Sequence, residues 1–379
     1  MSRRNTWTAG KWGRNTETGL RGAKDHGRRI INEGFYVVFE YLFFGFYQSS
    51  VTTELAMKRI GVLTSGGDAP GMNAAVRSVV RCAIHHKLEV KGVMRGYEGL
   101  INNEVIDMQA RSVSNILTRG GTILKTSRSE AFMEKSGRKK AHTAVKKNRL
   151  DGLVIIGGNG SFRGAHVFWR EFGVPSIGVP ATIDNDISGS DYTIGAHTAV
   201  GTALDAIDKI RDTVTSMERI YVVEVMGRED PFIATRVGLA GGAEDVVFPY
   251  TGYDANKMCR DIARGRKKGK LSWIIIVSEG TACANDVAKE IHARTGFSVR
   301  PVILGHIQRG GSPAAFDRIL ASVLGLYAVE ELRKGNSDAM VGLVSHDIKI
   351  TPYEQACKRD KRKTIVDEEM YKLTRILAE

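Results

Sequence analysis

Cysteine is scarce in this sequence, and its cysteines are widely separated. Among 379 residues the only cysteines are Cys82, Cys259, Cys283 and Cys357, and no two of them form a CxxC pair. This spacing argues against a disulfide framework and against a zinc site, and it favours the reduced thiols of a cytoplasmic enzyme.

The sequence also has no apolar run long enough for a membrane span. The run at 35–47 has 13 residues and includes Glu40, whereas a transmembrane helix needs about 20 apolar residues. A signal peptide is excluded because the polar stretch before this run is too long. Residues 1–30 are polar, basic and glycine-rich, which predicts disorder. We expect residues 1–56 to be an N-terminal extension or a misassigned start, with translation beginning at Met57; a peripheral membrane anchor is the alternative.

Acidic residues are outnumbered, because 55 Lys and Arg face 42 Asp and Glu, a formal net charge of +13 at pH 7. Nucleic-acid binding would need these cations in one stripe with interleaved aromatic side chains. They are instead scattered, and several stand singly beside glycines. Small anionic ligands such as sugar phosphates and nucleotides explain the excess more simply, so neither a nucleic acid nor a membrane is expected as a partner.

The chain is too long for one hydrophobic core, and its pattern after Met57 predicts two α/β domains. Short apolar runs alternate with amphipathic segments, and several runs are rich in β-branched residues, as in strands buried on both faces. No repeat of solenoid length and no low-complexity linker interrupts them. The predicted strands are 59–64, 89–94, 152–156, 176–180, 220–225, 273–278 and 299–304, and helices are predicted at 72–83, 198–213, 255–267 and 314–332.

Two glycine-rich turns follow predicted strands and could bind phosphate. The first is SGGDAPG at 65–71, which leads into a helix but is not a Walker loop because no GK[ST] follows; the second is GGNGS at 157–161. Paired glycines let the backbone approach phosphate oxygens, and a helix N-terminus adds partial positive charge. Each turn alone is equally compatible with a purely structural role.

The segment PATIDND at 180–186 also follows a strand and carries two carboxylates. Of these, one could accept a hydroxyl proton while the other holds Mg²⁺, although an Asx-turn is the structural alternative. The motifs MGR, SEG and GHIQRGGSP, at 226–228, 278–280 and 305–313, end three further strands. Because ligands of open parallel sheets bind at the carboxyl ends of strands, these motifs together indicate an anion site.

In this order and spacing, SGGDAPGMNAAVR, GGxGS, TIDND, VVEVMGR and LGHIQRGGSPxxxDRILAS resemble the ATP-dependent 6-phosphofructokinase family of the short bacterial type. The resemblance runs from Met57 almost to the end of the chain. It implies two Rossmann-like three-layer α/β domains with mostly parallel sheets. A large ATP-binding domain would comprise 57–194 and 307–357, and a small fructose 6-phosphate-binding domain 195–306 and 358–379.

The resemblance also implies a role for each matching residue. The family transfers the γ-phosphoryl of MgATP to the 1-hydroxyl of fructose 6-phosphate in glycolysis, and Asp184 matches its general base, with Thr182 and Arg228 beside the reacting groups. The positions matching ATP contacts are Gly67, Arg128, Gly158, Gly160 and Ser161. The positions matching sugar-phosphate contacts are Met226, Gly227, Glu279, His306, Arg309, Arg219 and Arg300. The last two are expected to reach a neighbouring subunit's site, since the family is typically a homotetramer.

A second anion site is suggested by Arg77 and Arg81, which place like charges at i and i+4 on one helix face. A solvated face is the alternative. The resemblance implies an effector site for ADP and phosphoenolpyruvate at these two residues together with Arg111, Arg211, Lys268 and Lys270.

The sequence departs from the family at the usual GGDGS motif, where Asn159 replaces an aspartate that helps to hold magnesium. An amide oxygen can still coordinate Mg²⁺, and Asp186 could carry the metal with it. The segment 229–235 also differs. Pyrophosphate-dependent relatives usually have an aspartate at the position of Gly160 and a lysine at that of Ala181, so ATP is the expected donor. A pyrophosphate-dependent enzyme and a weakly active regulatory paralogue are the alternatives.

Overall fold

The computed structural model describes residues 57–250 and 252–378, so the predictions made for residues 1–56 lie outside the described part. The strands are β1 Arg59–Ser65, β2 Glu89–Val93, β3 Val105–Met108, β4 Gly152–Gly157, β5 Ser176–Pro180, β6 Ile220–Val225, β7 Asp245–Val247, β8 Trp273–Ser278, β9 Val299–Ile303, β10 Ala339–Val344 and β11 Asp347–Pro352. The helices are α1 Met72–His85, α2 Gly96–Ile101, α3 Lys135–Lys147, α4 Asn159–Phe172, α5 Ala196–Met217, α6 Phe232–Ala240, α7 Ala255–Lys267, α8 Ala284–Thr295, α9 Ala315–Arg333, α10 Tyr353–Ala356 and α11 Lys361–Leu377, with 3₁₀ turns at Ala131–Met133 and Gly305–Arg309. None of these described helices is both long and apolar enough to cross a membrane.

The first sheet has seven strands in the order β11-β10-β5-β4-β1-β2-β3. Its five inner strands are parallel, and β3 and β11 run antiparallel at the two edges. The chain proceeds from β1 to one side and from β4 to the other, so the strand order reverses between β1 and β4. Such a reversal leaves a crevice at the carboxyl ends of the two strands.

The second sheet has four parallel strands in the order β7-β8-β6-β9. Its inner strand β8 is buried along its whole length, in keeping with its apolar sequence WIIIVS. The mostly parallel α/β fold expected from the sequence is therefore confirmed.

All seven predicted strands are present, with ends that agree to within one residue, and four further strands were missed. Two of these, β10 and β11, form a hairpin whose turn residues Ser345 and His346 have φ of 49° and 76°. Two-residue hairpins with positive φ usually carry Asn-Gly or a similar pair, so the Ser-His sequence gives no recognisable turn signal. The strand β7 is only three residues long.

The largest hydrophobic core cluster of the described residues extends from one sheet to the other. It contains Val62 of β1, Val223 of β6 and Ile276 of β8, all fully buried. The helix α11 packs near the second sheet, where Tyr371 Oη lies 3.3 Å from an Asp245 carboxylate oxygen. The division into two domains at 194/195 and 306/307 stays a prediction.

A buried carboxylate joins the two segments by which the chain passes between the sheets. Helix α5 leads from the first sheet to the second, and α9 follows the return from β9. Asp317, in the first turn of α9, is fully buried and accepts hydrogen bonds from the backbone N–H of Gly195 (3.0 Å) and Thr198 (2.7 Å) and from the Thr198 hydroxyl. The hydroxyl accepts in turn from the Ala314 N–H (2.9 Å). Asp317 thus caps α5 and holds α9 against it.

We expect Asp317→Ala to lower the free energy of unfolding by about 1–3 kcal/mol, because it leaves buried N–H groups at the start of α5 without an acceptor. Chemical denaturation monitored by circular dichroism measures this change. Asp286→Ala is the matched control, since Asp286 also lies in the first turn of a helix but is exposed. Equal stability of the two variants would contradict the role given to Asp317.

Candidate active site

The strand registers place six sequence motifs side by side, three at the carboxyl edge of each sheet. In the first sheet Ser65 pairs with Gly157, and Gly157 pairs with Pro180, so the loops after β1, β4 and β5 start side by side. In the second sheet Val225 pairs with Ser278, and Glu224 with both Val277 and Ile303, so the loops after β6, β8 and β9 do the same. The motifs are distant in sequence, and the register alone brings them to one edge of each sheet.

The loops after β1 and β4 are joined by the buried side chain of Ser161. Its Oγ donates to the Ser65 carbonyl (3.0 Å), and its own carbonyl accepts from Tyr97 Oη (2.6 Å). Helix α4 begins directly after Gly158, so its N-terminal amides lie at the crevice between β1 and β4. A helix N-terminus at this position favours a bound anion, as the GGNGS motif predicted.

Three side chains that the sequence reasoning missed hold the neighbouring loop 119–127 in place. Asn73 donates to the carbonyls of Arg119 (3.0 Å) and Gly120 (3.2 Å), and Thr64 Oγ1 donates to the Lys125 carbonyl (2.8 Å). Thr126 Oγ1 donates to the Gly66 carbonyl (2.8 Å). Asn73 stands inside the recognised motif SGGDAPGMNAAVR, but only the folded chain shows which backbone it binds. Arg128 follows this loop with an exposed side chain.

The Asp184 carboxyl is largely buried, and its environment makes it a stronger base than usual. Burial raises its pKa to about 6, and the neighbouring Asp186 and Glu279 add to the rise. Arg309 and Arg228 act in the opposite direction. A carboxylate with a pKa of about 6 is still ionised at neutral pH and accepts a proton more readily than an exposed aspartate. Thr182 Oγ1 accepts from the Asp184 N–H at 3.3 Å.

Two oxygen atoms beside Asp184 are buried and have no hydrogen-bond partner among the described residues. They are Asn159 Oδ1 and Asp186 Oδ1. The two side chains are adjacent, because Asn159 Nδ2 donates to Asp186 Oδ2 at 2.7 Å. Unpartnered buried oxygens are costly unless a cation or water satisfies them, and carboxylate and amide oxygens are ligands of Mg²⁺. These two residues therefore fit a Mg²⁺ ion.

The loops after β6 and β8 approach each other closely at Arg228 and Gly280. The Gly280 N–H donates to the Gly227 carbonyl (3.0 Å), and a Cβ on Gly280 would lie 1.8 Å from the Arg228 carbonyl oxygen. Only glycine permits this approach. The Arg228 guanidinium is 74% exposed and lies 3.7 Å from Glu279 Oε1.

The loop after β9 contacts both sheets. Gln308, fully buried, accepts from the Met226 N–H (3.2 Å) and donates to the Gly305 carbonyl (3.0 Å). Arg309 donates to the Asp68 carbonyl (3.2 Å) in the loop after β1. Gln308 was not predicted as a site residue, although it stands between His306 and Arg309 in the GHIQRGG motif. His306 is exposed on the same 3₁₀ turn.

Two of the predicted site residues, Arg219 and Arg300, lie at the opposite edge of the second sheet from the other predicted sugar-phosphate contacts. Arg219 precedes β6, and Arg300 pairs with Tyr221 near the start of that strand. Arg228 and Glu279 lie beyond the opposite ends of their strands. A strand of six residues spans about 20 Å, so within one chain Arg219 and Arg300 are separated from the site by the length of the sheet.

The six predicted effector residues lie on four segments. Arg77 and Arg81 are on α1, Arg111 follows β3, and Arg211 is on α5. Arg211 donates to the Gly242 carbonyl (2.8 Å). Lys268 is exposed after α7, whereas Lys270 donates to the Ala378 carbonyl (2.8 Å) and lies 3.3 Å from a Glu244 carboxylate oxygen. The arrangement leaves the effector site a prediction.

The fold and the site define a class of α/β protein in which glycine-rich, carboxylate-bearing and arginine-bearing loops meet at the carboxyl edges of two parallel sheets. The family model described as Phosphofructokinase matches residues 59–332. The chain belongs to the phosphofructokinase family. An ATP-dependent 6-phosphofructokinase of Clostridium acetobutylicum is 53% identical, over 76% of this chain and 90% of its own length. A protein of the same name from Bacillus pumilus is 52% identical, over 85% of this chain and 100% of its own length.

Solved structures agree with this assignment. The phosphofructokinase of Saccharomyces cerevisiae matches with a TM-score of 0.75 and 33% identity, over 85% of this chain. The match covers 48% of the yeast chain, so this chain spans about half of its length. A pyrophosphate-dependent phosphofructokinase of Marinobacter aquaeolei matches with a TM-score of 0.71 over 80% of this chain and 84% of its own, but at 22% identity it supports the fold alone.

We expect Gly280→Ala to lower the free energy of unfolding by about 1–3 kcal/mol, because the new methyl group displaces the backbone at Arg228. Denaturant titration measures the loss. Gly201→Ala is the matched control, since Gly201 lies within α5 and an added Cβ would contact nothing in the described part of the chain except its own helix backbone. The control is expected to be neutral or stabilising, because alanine favours helix. A neutral Gly280→Ala would contradict the close approach.

Proposed function

We propose that this chain transfers the γ-phosphoryl group of ATP to the 1-hydroxyl of fructose 6-phosphate, giving fructose 1,6-bisphosphate and ADP in glycolysis. The observation that carries the proposal is the largely buried Asp184 carboxylate. The positive charges of Arg309 and Arg228 oppose the rise in its pKa, and the unpartnered oxygens of Asn159 and Asp186 lie beside it. The curated relatives that are about half identical to this chain, and that bear the name ATP-dependent 6-phosphofructokinase, support the same reaction.

In this reaction Asp184 is the general base. Its ionised carboxylate accepts the proton of the sugar 1-hydroxyl as the oxygen attacks the γ-phosphorus. Thr182, whose Oγ1 lies 3.3 Å from the Asp184 N–H, contacts the transferred group. Arg228 and Arg309 offset the negative charge of the phosphoryl group and of Asp184, as cations aimed at the charge that develops during the transfer.

Asn159 and Asp186 hold Mg²⁺ in this proposal, through the oxygens that lack a partner in the described chain. When bound, Mg²⁺ neutralises charge on the phosphate oxygens of ATP. Asn159 contributes no charge, so Asp186 supplies the only anionic oxygen of the pair.

ATP is the proposed donor because this chain lacks the two side chains that pyrophosphate-dependent relatives usually have, an aspartate at the position of Gly160 and a lysine at that of Ala181. Apart from its own helix backbone and chain neighbours, no heavy atom of the described residues lies within 4 Å of a Cβ added to Gly160. Ala181 is 1% exposed and donates its N–H to the Gly157 carbonyl (2.9 Å), so a lysine there would have to displace packed residues. The proposed ATP contacts are Gly67, Arg128, Gly158, Gly160 and Ser161.

Fructose 6-phosphate is proposed to bind at the ends of β6, β8 and β9. Its contacts in the same chain are Met226, Gly227, Glu279, His306 and Arg309. Arg219 and Arg300 lie at the far edge of the second sheet, and this position supports their assignment to the site of a neighbouring subunit. The active enzyme is then a homotetramer, in which arginines from two chains bind one sugar phosphate.

Regulation and location follow the family expectation. ADP and phosphoenolpyruvate are proposed as effectors at Arg77, Arg81, Arg111, Arg211, Lys268 and Lys270. The enzyme is proposed to be cytoplasmic. Its large, ATP-binding domain is proposed to comprise 57–194 and 307–357, and its small domain 195–306 and 358–379.

We expect Asp184→Asn to lower kcat by about 10²- to 10⁴-fold, because the amide cannot accept the hydroxyl proton. A coupled assay of fructose 1,6-bisphosphate formation with MgATP measures the rate, and fluorescence titration with fructose 6-phosphate checks that the substrate still binds. Asp205→Asn is the control, since Asp205 is exposed and pairs only with Lys209 among the contacts described. An unchanged kcat in Asp184→Asn would refute the assigned base.

The same assay run with Mg-pyrophosphate in place of MgATP tests the donor. Phosphorylation with ATP alone is expected. Activity with pyrophosphate would overturn the argument from Gly160 and Ala181. If neither donor gave activity and Asn159→Asp restored it, the result would favour a regulatory paralogue that keeps the site but not the activity.

We expect Asn159→Asp to reduce thermal stability without metal and to increase the gain on adding Mg²⁺. The substitution replaces the 2.7 Å hydrogen bond to Asp186 with two neighbouring carboxylates, which repel each other until a cation binds. Differential scanning fluorimetry across a Mg²⁺ titration measures both effects.

The matched control for this substitution is Asn102→Asp. Asn102 Nδ2 also donates to a carboxylate, Glu98 Oε1 at 3.3 Å, but on an exposed helix end away from the site. The control is expected to show no added Mg²⁺ dependence. An identical Mg²⁺ response in both variants would rule out Asn159 and Asp186 as the metal site.

A further inference from the structure

The Lys363 side chain reaches from the first turn of α11 to the backbone on both sides of Asp186. Its Nζ donates to the carbonyl of Asn185 at 2.8 Å and to the carbonyl of Ile187 at 2.9 Å. The two acceptors are separated only by Asp186. One ammonium group therefore closes the turn that presents the Asp186 carboxylate, although the two segments are more than 170 residues apart in sequence.

The turn that presents Asp186 includes a buried residue with positive φ. Asn185 has φ of 51°, in the left-handed region, and is 3% exposed. Its side chain donates to the Asp191 carbonyl (3.0 Å), while its Oδ1 has no partner among the described residues. Asparagine adopts this conformation more readily than most non-glycine residues, and the Lys363 ammonium adds to that local preference by binding the carbonyls of Asn185 and Ile187.

The charges around Lys363 explain how a buried ammonium is tolerated. Burial lowers its pKa to about 8, and nearby Asp230, Asp186, Asp360 and Asp191 each oppose that lowering. The ammonium thus remains the protonated partner of a carboxylate-rich region at neutral pH. A neutral side chain at this position would leave the carbonyls of Asn185 and Ile187 without their Lys363 donor.

The same C-terminal segment also contacts the other proposed metal ligand. Cys357 Sγ lies 3.5 Å from the Asn159 carbonyl oxygen, and the Ala356 carbonyl accepts from the Ser188 N–H (3.0 Å). Residues 356–363 therefore touch the backbone at Asn159 and on both sides of Asp186.

We propose that Lys363 is a positioning residue for the divalent cation that accompanies the nucleotide: it holds the turn at 185–187 so that the Asp186 carboxylate faces Asn159. The inference rests on the proposed function and adds the C-terminal helix to the machinery of phosphoryl transfer. Lys363 itself touches neither substrate nor metal.

The test uses the full-length protein with Lys363→Met, which keeps the length of the side chain and removes its charge and donors. Binding of Mn²⁺ in the presence of a non-hydrolysable ATP analogue is measured by electron paramagnetic resonance. Loss of an outer partner of a metal ligand typically weakens metal binding by roughly 10- to 100-fold, which is the effect expected here. Fructose 6-phosphate affinity, followed by fluorescence, is expected to be unchanged.

Two further variants separate positioning from general stability. Lys363→Arg keeps the cation and its donors and is expected to recover part of the lost Mn²⁺ affinity. Lys372→Met removes an exposed lysine of the same helix, which pairs with Glu369 at 2.8 Å, and is expected to bind Mn²⁺ as the unaltered protein does.

The proposal is overturned if Lys363→Met is folded and binds Mn²⁺ normally, or if it loses Mn²⁺ and fructose 6-phosphate affinity equally. It is also overturned if both Lys363 variants fail to fold, because the residue is then a structural support of the whole molecule. An activity assay of the unaltered protein distinguishes the two proposals. Absence of phosphoryl transfer from ATP would refute the proposed function, and the Mn²⁺ measurements would still decide the role of Lys363.

Discussion

The contact on which the molecule depends most is the buried carboxylate of Asp317 at the start of helix α5. The chain leaves the first sheet through α5 and returns from the second through the loop before α9, and Asp317 binds both segments at one point. That connection, together with the shared hydrophobic core, helps to fix the separation between the loops of the two sheets. Because phosphoryl transfer depends chiefly on positioning, a defined distance between nucleotide-side and sugar-side loops is the first requirement of the site.

In the site, nearby cations keep closely spaced carboxylates ionised. Asp184 and Asp186 lie close enough to raise the pKa of Asp184, and burial raises it further. Arg228 and Arg309 limit the rise from the substrate side. Lys363 lies on the other side of the turn, where its ammonium binds the flanking carbonyls. Removal of Arg228 or Arg309 would therefore change the pKa of Asp184, and removal of Lys363 would change the orientation of the Asp186 carboxylate.

Much of the fold and part of the site could be predicted from the sequence because their signals are local. The strands β1, β4, β5, β6 and β8 are short, mostly apolar runs, whereas β9 is the more exposed VRPVI. Each of these six strands is followed by a recognisable motif. The motifs were sufficient to identify the family, which the family model and the curated relatives confirm. The hairpin β10–β11 was missed because its Ser-His turn lacks the usual residues for positive φ, and Gln308 was missed because an isolated glutamine carries no chemical signal.

The sequence by itself determined the family, the mostly parallel α/β class and the identity of the groups available for chemistry, since each depends on residue type and on spacing along the chain. Only the tertiary structure decided which of those groups meet. The packing of the two sheets brings Asp184 near Glu279 and Arg309, whereas strand register leaves Arg219 and Arg300 at the opposite edge of the second sheet. The pairing of Asn159 with Asp186 depends likewise on distances across strands, which no local pattern encodes. Electrostatic interactions depend on separation in space, and that separation exists only once the chain has folded.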